Sequence, residues 1–393
     1  MNFKKLGLSL LAGVTLFASS SNLLALAQEE NETVKIGANM ETSGYSASYG
    51  QAMYEALQLA VEEVNNEGGL LDGLEVEIIH YDNKSDKTET ASVATRLVEE
   101  GAVALIGPGA TDLVLAQNPV AEQSEVPAVI PAATADDLTM DQNGNVLDWV
   151  FRLAFSYTYQ ANAAARFATD ELGAQKAVVL VDQSNDYSVG QAEPFIKEWE
   201  ALGNEVVLEE SYTSGDTDFS AVLTTLMATE FDVIYLPAFY TEGGLITKQA
   251  REMGLTQPIL SGHGFASDAY VELAGASNAT DVYFTSNFYT GTEEKAGKAF
   301  VEAYEAKFGK TPDTFGALGY DGAKLLFQAI EDAGSTDRTA VRDAIENMET
   351  FTGGVTGEFY IDEEHNAVKP APMLHLVDGE VADIYEVDGS SNE

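Results

Sequence analysis

Two threonines, Thr111 and Thr134, each end a stretch built to the same design. The apolar run 102–106 opens into Gly107-Pro108-Gly109-Ala110-Thr111, and the run 127–130 opens into Pro131-Ala132-Ala133-Thr134. Hydroxyls at such turns suit an anionic group such as a carboxylate. A helix that starts there leaves its first N–H groups unpaired and presents the positive end of its dipole. The competing reading is that both threonines only cap turns or helices. Other chemistry finds little to use in this chain. It has no cysteine, which removes disulfides, thiolate metal sites, a cysteine nucleophile and a lipidated N-terminal cysteine. The four histidines, His80, His263, His365 and His375, are spread too widely to read as a metal cluster or a triad. No G-x-S-x-G, H-E-x-x-H or phosphate-loop string occurs. Gly107 and Gly109 begin something like G-x-G-x-x-G, but Asp112 holds the last glycine position. These observations favour a binding protein over an enzyme, with no cofactor and no metal.

Turns of this kind need a strand before them and a helix after them, and the chain supplies that alternation almost throughout. Strand-like runs at 34–40 and 74–80 alternate with amphipathic segments at 49–65 and 88–100, and the repeated design and a run at 150–154 follow. A second series has helices at 157–172, 192–202, from 218, and 243–253, with strands at 177–181, 205–209, 233–236 and 259–260. Helices at 295–308, 322–333 and 338–348 and short strand-like pieces at 357–361 and 373–377 complete the chain. This is the grammar of an α/β fold with mostly parallel sheets, in two similar lobes. In such sheets small ligands sit beyond the carboxyl ends of the strands, where Thr111 and Thr134 lie.

A chain of 393 residues, 45% apolar, is long enough for two packed domains. Residues 1–27 combine Lys4 and Lys5, an apolar stretch at 6–18 and Ala25-Leu26-Ala27, the pattern of a cleaved secretory signal. Its removal takes the formal net charge from −44 to −46, because the segment carries two positive residues and no acid. So acidic a surface repels nucleic acid and anionic lipid. Export to the periplasm or the extracellular space, without a cysteine-linked lipid anchor, is the expectation.

Further motifs run in order along the chain: VKIGANMETSGYSASYGQ, AVEEVNNEGGLLDG, IIHYDN, ALIGPGATD, VPAVIPAAT, VFRLAFS, DYSVG, DTDFSAVL, FDVIYLPAFYTEGGLITKQAREMGL, LGYDGAKLLFQAI and FTGGVTGEFYIDEEHNAV. Together they resemble the branched-chain amino-acid (Leu/Ile/Val) binding proteins, the type I periplasmic solute-binding subunits of ABC transporters. The resemblance implies two three-layer lobes joined by a three-strand hinge, with crossovers near Ala154, Thr285 and Val355. Lobe one would be 33–154 plus 286–354, and lobe two 155–285 plus 355–393, closing on a ligand between them. It further implies a monomer that captures an amino acid or related small carboxylate and hands it to ABC permease subunits in the membrane. A sensor reporting to a membrane receptor, or a protein for an amide, urea or organic acid, is the alternative.

By the same resemblance the ligand carboxylate falls to Thr111 and Thr134, in and beside the turn that holds Gly109, and the ammonium to the Ala132 carbonyl. Tyr187 and either Phe239 or Tyr240 come from the second lobe, with Tyr49 on the opposite wall. Two plainer readings remain, that Tyr49 starts its helix and that Tyr187 is surface packing. One departure stands out. Where the family places an acid between glycines, this chain has Ser261-Gly262-His263-Gly264. A histidine cannot replace a carboxylate as the partner of a cation. Either Glu242 or Asp268 supplies the charge, or the ligand carries no ammonium there. A neutral His263 would accept a hydrogen bond, and a protonated one would favour an anionic ligand.

Overall fold

The computed structural model describes residues 33–390; the expected signal segment, 1–27, lies outside them. The first sheet collects β1 (Val34–Met40), β2 (Val76–Asp82), β3 (Ala104–Ile106), β4 (Ala128–Ile130) and β5 (Val150–Arg152). They lie in the order β2-β1-β3-β4-β5, all parallel, with α1 (Ala47–Asn66), α2 (Lys87–Glu99) and α3 (Thr111–Gln123) as crossovers. Val34, Ile36, Ala38 and Met40 of the interior strand β1 are wholly buried, as a parallel sheet covered on both faces requires. On α1 the buried positions Tyr49, Met53, Ala56, Leu57, Ala60 and Val64 recur at helical spacing and form one stripe against that sheet.

After β5 the chain passes to a second sheet through α4 (Tyr157–Asp170). It continues as β6 (Lys176–Asp182), α5 (Asp186–Ala201), β7 (Glu205–Tyr212), α6 (Ser220–Met227), β8 (Val233–Tyr235), α7 (Tyr240–Met253), β9 (Ile259–Ser261), α8 (Asp268–Ala274) and β10 (Val282–Thr285). It then returns to the first sheet as α9 (Lys295–Phe308), α10 (Thr314–Ala333), α11 (Arg338–Glu346) and a small ladder of β11 (Tyr360–Ile361) and β12 (Ala367–Val368). Finally β13 (Ala371–Val377) adds antiparallel to β10, and β14 (Glu380–Val387) antiparallel to β13. The second sheet therefore runs β14-β13-β10-β9-β8-β6-β7. Its two faces carry separate cores: Val178 and Leu180 of β6 pack on one side, and Ala177, Val179 and Val181 on the other, the two-residue period of a strand.

Several boundaries differ from the sequence expectation. Helix α10 starts at Thr314 instead of 322, because the Asp313 carboxylate caps it by accepting the Gly316 N–H at 2.9 Å. Helix α5 likewise starts at Asp186, capped by Asn185, which accepts the Tyr187 N–H at 2.9 Å. Val355, Phe359, Ile361 and Ala367 pack into the core of the first sheet. The third crossing thus comes after Val368, later than the one expected near Val355.

The glycines of α10 let it lie against its neighbours. A Cβ on Gly319 would stand 2.7 Å from the Cα and carbonyl oxygen of Met53 on α1. Backbone cannot move aside cheaply, so Gly319→Ala is expected to destabilise the fold by about 1–3 kcal/mol in urea unfolding. An unchanged midpoint would mean that the two helices separate freely.

Candidate functional site

The first wall of the cleft is made by the turns after β3 and β4. The backbone N–H groups of Gly109 and Ala110 donate to the Glu41 carboxylate at 3.0–3.1 Å, which fixes the turn from behind. Burial pushes the Glu41 carboxyl up to about 7 in spite of these bonds. Thr111 opens α3, and its hydroxyl accepts the Thr134 N–H at 3.2 Å, tying the two turns together. The Thr134 hydroxyl is buried without a protein partner. An unpaired buried hydroxyl costs about 1–3 kcal/mol, so a ligand atom there is stabilising.

The second wall comes from α5, the start of α7 and the segment after β9. Tyr187 stands in the first turn of α5, and its hydroxyl accepts the Gly264 N–H at 3.1 Å. Phe239 precedes α7 and lies 5.1 Å, ring to ring, from Tyr187. The His263 N–H donates to Gln160 Oε1 at 2.9 Å, which also accepts the Thr285 hydroxyl at 3.1 Å. Burial holds the His263 ring down to about 3, so it is uncharged at neutral pH. In the unliganded cleft this favours the neutral alternative.

Tyr49 joins the walls. Its hydroxyl donates to the Gly264 carbonyl at 2.8 Å and accepts the Tyr240 N–H at 3.1 Å. Its ring stacks on Phe315 at 4.0 Å and meets Phe239 edge-on at 5.4 Å. At the rim the Ser48 and Ser267 hydroxyls are 2.9 Å apart, and Lys87 pairs with Asp112 and Asp186, both at 3.6 Å.

Between the walls lies a tight cavity of about 10 Å³. Tyr49, Gly109, Thr111, Ala132, Thr134, Tyr187, Phe239 and His263 line it, together with Ala110, Ala133, Gly264 and Phe315. The volume is about the room one water needs, so the walls must part or side chains must shift to admit a solute of amino-acid size. Tyr240 is not among the lining residues; its ring packs edge-on against Tyr49 at 5.1 Å and backs the wall. Neither of the alternative acids reaches the cavity. Glu242 accepts the Gly215 N–H at 2.9 Å, and Asp268 lines an outer groove together with Asp313. The sequence reading missed Phe315 because it placed 315 ahead of its helix. The signal was Asp313, a capping residue two positions earlier.

Residues 33–380 match the sequence profile of the family described as Periplasmic binding protein. The chain belongs to that family. Among its relatives, the Leu/Ile/Val-binding protein BraC3 of Rhizobium johnstonii is 30% identical over 347 residues, 87% of this chain and 92% of the relative. In structure this periplasmic binding protein is similar to the branched-chain amino acid transporter substrate binding protein LivJ from Streptococcus pneumoniae, solved with isoleucine. That likeness has a TM-score of 0.85 and 37% identity, over 91% of this chain and all of that one. The leucine binding protein LivK from Thermotoga maritima has a TM-score of 0.83 and 36% identity, over 91% and 99%. A benzoate-bound solute binding protein from R. palustris, 22% identical with a TM-score of 0.81 over 92% and 98%, shares the fold. The architecture is thus the type I periplasmic-binding fold. Among the described residues of this periplasmic binding protein, no helix is long and apolar enough to cross a membrane.

The α10 cap beside Phe315 makes stability depend on pH. Burial pushes the Asp313 carboxyl up to about 7, with Asp268 adding to the rise and the Gly316 N–H and Lys310 opposing it. The folded protein therefore keeps this proton to higher pH than the unfolded chain, whose carboxyl titrates near about 3.9. The resulting stability is complete below the unfolded value and is lost as pH rises toward the folded one. Asparagine also caps helices, so Asp313→Asn should lose no cap. Relative to wild type it is expected to gain about 2–3 kcal/mol between about pH 5 and pH 8 in urea unfolding. A pH-independent difference would refute the assignment.

Proposed function

We propose that this periplasmic binding protein is the solute-binding subunit of an ABC importer and captures a small carboxylate-bearing solute of amino-acid size. Two lobes would close over the ligand: residues 33–154 with 286–368, and 155–285 with 369–390. The observation that carries the reading is one cavity walled by the Thr111 and Thr134 turns on one side and by Tyr187, Phe239 and His263 on the other. The α3 dipole, the Thr134 hydroxyl and the Thr111 hydroxyl give a carboxylate its partners, and aromatic rings enclose the apolar remainder. The isoleucine and leucine named for LivJ and LivK support a ligand of this size and charge. Only the closed state lets both walls touch the ligand, so binding shifts the hinge equilibrium toward closure. The closed form is what a permease would recognise, and a monomer suffices for it.

A thermal-shift screen of the protein, stripped of carried-over ligand, against amino acids, their deaminated acids, dicarboxylates, amides and urea tests this reading. A ligand at about a hundredfold its dissociation constant adds about 2.7 kcal/mol of stability, a readily measured shift. Stabilisation by carboxylates is the expected result. Response only to amides or urea, or to nothing, would sink the carboxylate reading.

A further inference from the structure

The cavity contains no charged side chain, which bears on what can enter it. None of its lining residues is Asp, Glu, Lys or Arg. The nearest acid on the first wall, Glu41, stands behind Gly109 and spends both carboxylate oxygens on the Gly109 and Ala110 N–H groups. Glu242 is occupied by Gly215 and Asp268 lies in the outer groove, as described above. The titratable lining groups are all neutral near pH 7, with burial raising Tyr49 and Tyr187 and lowering His263. An ammonium enclosed here would meet the Ala132 carbonyl and no balancing negative charge. Burying an unpaired cation costs several kcal/mol.

The second wall also offers protons where an ammonium needs acceptors. His263 Nδ1 lies 3.5 Å from the Asn287 side-chain amide nitrogen, and when that amide donates to it the ring proton is left on Nε2. That nitrogen makes no hydrogen bond among the described residues. The Tyr187 hydroxyl already accepts the Gly264 N–H, so its own proton is what it has left to give. The Gly264 carbonyl, an acceptor that lines the cavity, is taken by the Tyr49 hydroxyl. A ligand oxygen satisfies such a wall, and an ammonium does not.

We propose that the ligand is a small monocarboxylate with an uncharged oxygen, keto or hydroxyl, in place of the ammonium of an amino acid, and that His263 sets this preference. The inference rests on the carboxylate reading of the first wall.

Calorimetric titration of the stripped protein with leucine and with its α-keto and α-hydroxy analogues tests it. At least one analogue is expected to bind about tenfold or more tightly than leucine, a difference of about 1.4 kcal/mol. His263→Asp, which supplies the missing charge, is expected to invert the order, while His263→Gln, still neutral, keeps it. Thermal unfolding of each unliganded variant establishes that it is folded. Equal or tighter binding of leucine to wild type would overturn the inference and leave the importer reading standing. A folded His263→Asp protein that still prefers the deaminated acid would overturn the role given to His263. If none of the three carboxylates binds, this inference falls, and the carboxylate reading falls with it when the thermal screen also finds no carboxylate ligand.

Discussion

Replacing Asp321 by alanine is expected to destabilise the folded protein by about 3–5 kcal/mol, the scale for leaving a buried charge uncompensated. Asp321 is wholly buried on α10 and accepts the Val355 N–H at 2.7 Å, the Thr356 N–H at 2.9 Å and the Thr356 hydroxyl at 2.6 Å. That hydroxyl in turn accepts a hydrogen bond from Lys369 Nζ at 2.6 Å. The carboxylate, hydroxyl and ammonium form one buried chain. Burial holds the Lys369 ammonium down to about 8, with the Asp321 charge pulling it the other way. Without Asp321, Lys369 must remain charged and unpaired, or lose its proton. Lys369 lies between β12 and β13, where the chain makes its third passage between sheets, so the loss falls on the hinge. Equilibrium urea unfolding measures the cost. Asp321→Asn with Lys369→Met should recover much of it, because no buried charge is then left alone. A single alanine variant within about 1 kcal/mol of wild type would contradict the account.

The second large effect concerns binding without folding. Thr134→Val is expected to lower affinity for the carboxylate found by the thermal screen by about 10- to 150-fold, the worth of one hydrogen bond to a charged group. Its hydroxyl has no protein partner to lose, so unliganded stability should change by less than about 1 kcal/mol. Thr111→Val should weaken binding on a similar scale and cost about 1 kcal/mol of stability, since its hydroxyl accepts the Thr134 N–H. Calorimetry separates the two quantities. Undiminished affinity in the double variant would place the carboxylate elsewhere in the cleft.

Much of the architecture was legible because strands and turns are written locally. The run at 233–236 is apolar without interruption, the run at 34–40 is apolar at every second position, and the strands β8 and β1 lie there. What escaped was decided by contacts between distant residues. Gly316, Gly319 and Gly322 argue against a helix by propensity, yet α10 needs glycine where it meets Met53 and Ile106. That conflict hid the first turn of α10 and Phe315 with it. Phe239 and Tyr240 could not be told apart, since which ring faces the cavity depends on where α7 begins. Glu41 was indistinguishable among 64 acids. Its importance comes from the Gly109 and Ala110 N–H groups, contributed by a turn some 68 residues further along. The histidine at 263 was visible as an anomaly, and the fold was needed to show that it is uncharged and that neither alternative acid reaches the cavity.

The two walls are encoded differently, and that affects how readily such a protein acquires a new ligand. In the proposed mode the grip on the carboxylate is made from turns that close β3 and β4, with Glu41 and the sheet behind them, so its backbone cannot be reshaped without disturbing the scaffold. Four other lining residues, Tyr187, Phe239, His263 and Phe315, are single side chains on four separate segments. None of the four lies on a strand. A lineage, or a laboratory library confined to those four positions, can therefore retune selectivity stepwise while the anchoring end is inherited unchanged.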